Sequence, residues 1–210
     1  QQARDEIAYV GERSNARNWI ICDANFGILP RDVEIAREIR RNKDLRGWPE
    51  KCHIWLAKNV TERNLAIGEI LSEMIEPVMA VQSMDPKVLR NIKRDNISLD
   101  TYQQYQQMFH RMGSRTTSDL IVPMPDETLE SHLNAIRKLT ELGVDFTTLN
   151  NMRMLAGAEA SSAETRRRFA FKTKYRLIHG DAGVYKTADG TEIRAFEFEE
   201  SLRSTSTMTE

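Results

Sequence analysis

The chain has 210 residues, with 30 lysines and arginines against 31 aspartates and glutamates and a formal net charge of −1. This balance argues against electrostatic capture of nucleic acid or of an anionic membrane and leaves a small molecule or a peptide as the expected substrate. No apolar run approaches the roughly 20 residues of a membrane-spanning helix, and no basic-then-apolar leader opens the chain, so a cytoplasmic protein is expected.

In chain order, Arg4-Asp5-Glu6-Ile7-Ala8-Tyr9-Val10 reads as the end of a helix already under way, and the first residue is Gln1 rather than methionine, which together suggest a fragment. Trp19-Ile20-Ile21-Cys22 is apolar on both faces, as a buried parallel strand is. Pro30 suits a first helical position, with Asp32 and Glu34 near the positive end of the helix dipole and Val33, Ala36 and Ile39 on the apolar face. Gly47-Trp48-Pro49 breaks that helix before a second strand, His53-Ile54-Trp55-Leu56-Ala57. Asn59 and Glu62 resemble a capping pair for a helix carrying Leu65, Ala66, Ile70, Leu71 and Met74, and Pro77-Val78-Met79-Ala80-Val81 is the third strand.

Asp85-Pro86 opens a helix with Val88, Leu89 and Ile92 on its buried face, and another helix follows over 99–112. Leu120-Ile121-Val122 is the fourth strand. Leu129, Leu133, Ile136 and Leu139 form the apolar stripe of the next helix, Gly143 stops it, and 145–149 is the fifth strand. Beyond Gly157 the period changes: 175–178, 184–187 and 191–198 are β-like, with Asp189-Gly190 as a hairpin turn.

Alternating strands and helices predict an α/β fold with a parallel sheet, either a complete or partial barrel or a doubly wound open sheet. In both, ligands bind beyond the carboxyl ends of the strands. Those ends carry Asp23-Ala24-Asn25, Lys58-Asn59, Gln82-Ser83, Pro123-Met124-Pro125-Asp126-Glu127 and Asn150-Asn151, groups that serve equally as turn formers and helix caps. Cys22 and Cys52 lie in apolar stretches and are expected to be reduced core thiols. His53, His110, His132 and His179 lack mutual metal-ligand spacing, and Met79, Met84, Met152 and Met154 read as core filling.

Asp23-Ala24-Asn25-Phe26-Gly27-Ile28 with Arg31-Asp32-Val33-Glu34-Ile35-Ala36, and Gln82-Ser83-Met84-Asp85 with Ile92-Lys93-Arg94-Asp95-Asn96-Ile97-Ser98, resemble radical SAM proteins of the branch that often carries a cobalamin-binding domain. Pro125-Asp126-Glu127-Thr128 resembles that branch's Pro-Gly-Glu-Thr segment, and Ser204-Thr205-Ser206-Thr207-Met208 a segment near the barrel's end.

The resemblance implies a partial TIM-like (β/α)6 radical SAM barrel over 1–158, with a small C-terminal antiparallel β addition over 159–210. It implies S-adenosylmethionine and a four-iron four-sulfur cluster as cofactors of the full-length protein, and cobalamin as a family tendency. An electron donor such as flavodoxin or ferredoxin is the implied partner. Asp23, Ala24 and Asn25 correspond to the motif contacting the methionyl amino group, and Gln82 and Ser83 to the ribose or methionyl carboxylate contact. Val122 and Asn150 correspond to the adenine side, although Val122 and Asp126 stand where glycines are expected.

The competing reading for Asp23 is a local turn cap, for Gln82 and Ser83 packing or turn formation, and for Glu127 helix-start electrostatics. The family's CxxxCxxC is missing and is expected upstream, so this piece is expected to be inactive and to bind no cluster. A missing first strand would leave a sheet edge open to oligomerisation. A cluster-free barrel acting as a binding or scaffold domain, and an α/β enzyme doing acid–base chemistry with strand-end carboxylates, are the other readings.

Overall fold

The computed structural model describes residues 1–57 and 62–209. The expected strand end at 58–59, the capping pair of Asn59 with Glu62 and the side chain of His179 fall outside the described set. The chain divides into two compact units, one of Gln1–Gln82, Asp95–Leu120 and Ile136–Thr148, the other of Ser83–Arg94, Ile121–Ala135 and Leu149–Glu210.

In the first unit, α1 (Gln2–Arg13) leads to β1 (Asn18–Ile20), α2 (Arg31–Arg46), β2 (Lys51–His53) and α3 (Glu62–Leu71). Helix α2 packs against both α1 and α3. Its approach to α1 depends on Gly11, where a Cβ would lie 1.9 Å from the Asn42 carboxamide oxygen. Asn42 in turn donates to the Trp48 carbonyl at 2.7 Å, and the Trp48 indole donates to the Gly11 carbonyl at 3.1 Å. Strands β1 and β2 pair in parallel, Trp19 opposite Cys52, and the pairing resumes at a parallel bridge between Phe26 and Leu56.

Strand β2 thus begins earlier than expected, at Lys51, and the buried Ile54, Leu56 and Ala57 follow as irregular chain. Cys22 is exposed rather than buried. The ladder ends before it, because after Ile21 donates to His53 the chain turns, with the Asp23 amide bonding to the Ile21 carbonyl. Cys52 is buried as expected, and burial pushes its thiol up to about 11.

The expected third strand is a segment joined to β3 (Thr117–Val122) by parallel bridges at Val78 with Thr117 and Gln82 with Leu120. It is no regular ladder because side chains take its carbonyls. Met79 accepts from Tyr102 and Ser118, and Val81 from Asn96. Pro77 also has no N–H to offer. Strand β3 pairs with β4 (Phe146–Asn151), the Phe146 amide donating to Thr116. Strand β4 is the expected fifth strand, with Phe146 and Leu149 about half exposed.

Helix α4 (Pro86–Asn91) opens with Asp85 accepting from the Lys87 and Val88 amides, as anticipated, and α5 (Leu99–Arg111) with Ser98 accepting from Thr101. In α6 (Leu129–Glu141) the buried face is His132, Ala135 and Leu139, whereas Leu129 and Leu133 are exposed. Leu139 is common to both, so burial is rotated by less than one residue's turn of about 100° from the stripe read in the sequence. Of the four methionines read as core filling, Met79 and Met154 are buried and Met84 and Met152 half-buried, so two of the four are core residues.

The second unit ends in α7 (Ala163–Arg168) and a long hairpin, β5 (Lys172–Lys186) with β6 (Glu192–Ser204). The three β-like runs are therefore two strands. Residues 175–178 and 184–186 belong to one strand interrupted by a register shift between Leu177 and Ala182, and Thr187 lies just beyond it. The turn falls at Asp189 and Gly190, with Asp189 accepting from the Thr191 amide.

The base of the hairpin is tied to α7 by Arg166, which forms two parallel bonds to Glu200 at 2.6 and 2.7 Å. The Arg166 guanidinium and then the Thr173 hydroxyl hold the Glu200 carboxyl down to about 2. A carboxyl depressed in the folded state contributes stability above its unfolded value, about 4.3, and loses it as pH falls toward 2. Glu200→Gln is expected to cost about 2 kcal/mol at pH 7 and almost nothing near pH 2. Urea unfolding at the two pH values measures this; a cost that did not shrink with acid would remove the ion pair from the account.

Candidate functional site

The turn after β1 is held from several sides. Phe26 is buried, its amide donates to Trp55 and its carbonyl accepts from Ala57, which fixes the turn to the chain following β2. The buried Asp32, in the first turn of α2, directs one carboxylate oxygen back to the Gly27 and Leu29 amides, both at 2.9 Å. From α3 the Arg63 guanidinium donates to the carbonyls of Gly27 and Ile28 at 3.1 and 2.9 Å, and the buried Asn64 donates to Ala57 at 2.9 Å. Gly27 has φ +98°, and a Cβ there would lie 2.3 Å from the Asn64 carboxamide oxygen. Glycine is required on both counts.

What this scaffold presents is Asp23, Ala24 and Asn25. Ala24 and Asn25 are exposed and Asp23 half-buried. One oxygen of Asp23 accepts from the Asn25 amide at 2.9 Å, so the turn-cap reading of Asp23 is realised. The Asn25 amide oxygen and the Asp23 carboxylate are acceptors of the kind an ammonium group requires. A cleft of about 900 Å³ beside them is lined by Ile7, Val10, Trp19, Ile20, Asp23 and Arg31, among others.

Gln82 ends the bridged segment of the first unit. Its φ of +60° is rare for a side chain larger than glycine, and its amide donates to Asp119 at 2.8 Å. In the second unit, Ser83 is buried and its hydroxyl accepts from the Asp85 amide at 3.2 Å, as in the turn reading. The Val122 carbonyl accepts from the Met152 amide and from the Asn151 side chain.

Asn150 is exposed, whereas its neighbour Asn151 faces inward, donating to Val122 and Leu202 and accepting from Ser201. Asp126, where a glycine was expected, has φ +64° and is tied down by Asn91 at 3.0 Å and Lys87 at 3.2 Å. Aspartate is among the few residues that tolerate that backbone, so the departure from glycine costs little here.

Glu127 precedes α6 by two residues, and it has specific partners as well. It is buried, its carboxylate accepts from the Met124 amide at 3.2 Å, and the buried His132 ring lies 3.3 Å from its other oxygen. The Thr207 hydroxyl donates to the Glu127 carbonyl at 2.6 Å, which brings the 125–128 and 204–208 segments together. The roles of Arg63, Asn64, Asn151 and Thr207 were not legible, since no spacing or periodicity marks a side chain whose role is to bond backbone in another part of the chain.

Among the described residues no three His, Cys, Asp or Glu side chains gather in a metal-ligating group, and no helix is long and apolar enough to cross a membrane. A four-iron four-sulfur cluster held by three thiolates does not fit a chain whose cysteines are Cys22 and Cys52, the latter buried with a raised thiol.

No protein-family model matches the chain. It is 34% identical over 146 residues to the cobalamin-dependent radical SAM methyltransferase TokK of Streptomyces tokunonensis, covering 68% of this chain and 21% of that protein. It is 33% identical, with the same coverage, to the 2-(S-pantetheinyl)-carbapenam-3-carboxylate methyltransferase of Streptantibioticus cattleyicolor. The chain thus spans about a fifth of the length of the curated relatives it matches.

Among solved structures, the radical S-adenosylmethionine methyltransferase TsrM of Kitasatospora setae superposes with a TM-score of 0.57 at 14% identity, over 71% of this chain and 29% of that one. Coproporphyrinogen III oxidase of Escherichia coli, a radical SAM enzyme, gives 0.54 at 17% identity, over 70% and 35%. These likenesses show an α/β fold shared with radical SAM enzymes. The chain belongs to the radical SAM superfamily, and one of the two curated relatives it matches is a cobalamin-dependent radical SAM methyltransferase.

Proposed function

We propose that this chain is part of the S-adenosylmethionine-binding barrel of a cytoplasmic, cobalamin-dependent radical SAM methyltransferase, with residues 1–158 in the barrel and 159–210 as its β extension. The observation that carries the reading is the turn at 23–28, held by Asp32 and Arg63 so that Asp23 and Asn25 stand at a strand's carboxyl end. Similarity to two methyltransferases over the same 146-residue length supports the reaction class.

When bound, the cluster and cofactor supply the radical chemistry. This chain's residues bind and orient. Asp23 and Asn25 accept from the methionyl ammonium, Gln82 and Ser83 face the ribose or carboxylate, and Val122 and Asn150 border the adenine. The cluster thiolates come from outside this chain, so the chain alone is inactive. The electron comes from a donor of the flavodoxin or ferredoxin kind, and the substrate is a small molecule or a peptide.

The test is anaerobic cluster reconstitution of the natural full-length protein beside this chain, assaying reductant-dependent 5′-deoxyadenosine and methylated product. Activity from the long form alone is expected; no cluster and no product from either would favour the scaffold reading. Within the long form, Asp23→Asn keeps the turn cap and removes the charge. It is expected to weaken S-adenosylmethionine binding about tenfold by equilibrium dialysis. Unchanged binding would leave Asp23 a turn former only.

A further inference from the structure

The distal part of the β5/β6 hairpin has one face with an apolar stripe. The register pairs Tyr175 with Glu200, Leu177 with Phe198, Ala182 with Phe196 and Val184 with Arg194, and paired residues share a face. Tyr175, Leu177, Val184, Phe196 and Phe198 therefore lie together, and each is more than half exposed. Phe196 and Phe198 pack edge to face with ring centres 5.4 Å apart, which makes the stripe continuous along β6. The base of the hairpin is anchored, with Leu202 buried and its amide bonded to Met152. The stripe thus stands on a fixed support.

We propose that this face is a self-association surface that takes a second copy of the chain, the two hairpins packing face to face about a twofold axis. The area is enough for this occupant. Five side chains of this size, half exposed, offer on the order of 500 Å² per copy, so mutual burial removes about 1,000 Å², the lower bound for a specific interface. That patch also matches the largest apolar patches of monomers, which are often functional.

Charge does not oppose the pairing. At the tip Lys186 is paired with Glu192 at 3.3 Å, and at the base Glu200 with Arg166. Arg194 sits toward the tip, beside Val184, so an antiparallel twofold keeps the arginines of the two copies apart. The stripe, rather than the β1 edge, is then where the chain associates.

Sedimentation equilibrium of the natural full-length protein between 1 and 200 µM is the test. A monomer–dimer equilibrium is expected, and Phe196→Ser with Phe198→Ser is expected to weaken it at least tenfold. Tyr185→Ser with Ile193→Ser, on the opposite face of the same hairpin, is expected to leave it unchanged. Circular dichroism on each variant separates lost association from lost folding. A monomer at every concentration overturns the proposal, as does a dimer that survives the phenylalanine changes or that is broken instead by Ile20→Asp at β1.

Discussion

Asp32→Ala is expected to free the turn after β1, at a cost of about 3 kcal/mol, because two backbone amides lose their acceptor at once in a buried setting. The Gly27 and Leu29 N–H groups both point at the same carboxylate oxygen, and the side chain is almost wholly buried. Asp32→Asn keeps one oxygen able to accept and is expected to cost about 1 kcal/mol. The measurement is amide hydrogen exchange, which reads local opening: Gly27 and Leu29 should exchange far faster in Asp32→Ala while amides of the β5/β6 hairpin stay protected. If those two amides kept their protection, Arg63 and the Phe26 backbone bonds would be holding the turn without Asp32. In the full-length protein the same change should weaken cofactor binding, since the turn that carries Asp23 and Asn25 would no longer be ordered beforehand.

Much of the fold was legible because local chemistry and pattern agreed. Asp85 before Pro86 did cap a helix, Asp189-Gly190 did turn a hairpin, and the spacing of Val33, Ala36 and Ile39 did mark a helix whose buried face includes the last two. Failures arose where a residue's partner is distant. Nothing in Pro77-Val78-Met79-Ala80-Val81 shows that Tyr102, Ser118 and Asn96 would take its carbonyls and reduce a strand to two bridges. The leucines of α6 were read as one stripe, but burial follows His132 because its ring has Glu127 to meet.

In the candidate site the wording of the 23–36 string was visible and its mechanics partly so. Asp32 was read as a helix-dipole residue, whereas it reaches back five residues to hold the turn. The charged and polar residues singled out at strand ends divide in the structure. Asp23 and Ser83 serve turns, Asn25 and Asn150 face solvent, and Asn151, named with Asn150 at its strand end but given no role, is bonded on three sides.

Glu127 carries the other large effect. Glu127→Ala is expected to destabilise the second unit by about 3 kcal/mol, since it strands the Met124 amide and leaves His132 buried without its carboxylate. Glu127→Gln retains an acceptor for Met124 and is expected to cost about 1 kcal/mol, so the gap between the two variants isolates the acceptor from the charge. Thr207→Val, which removes only the donor to the Glu127 carbonyl, is expected to cost about 1 kcal/mol and to loosen the 204–208 segment. Thermal unfolding ranks the three, and hydrogen exchange at Met124 and Thr205 shows which segment opens. Equal, small effects from Ala and Gln at this position would mean that the loop after β3 is held by its own turn, Glu127 amide to Met124 carbonyl, without help from the carboxylate. The expected ranking instead makes a buried carboxylate the pin between the end of β3 and the last turn of the chain, which in the proposed reading shapes the adenine side of the cofactor site.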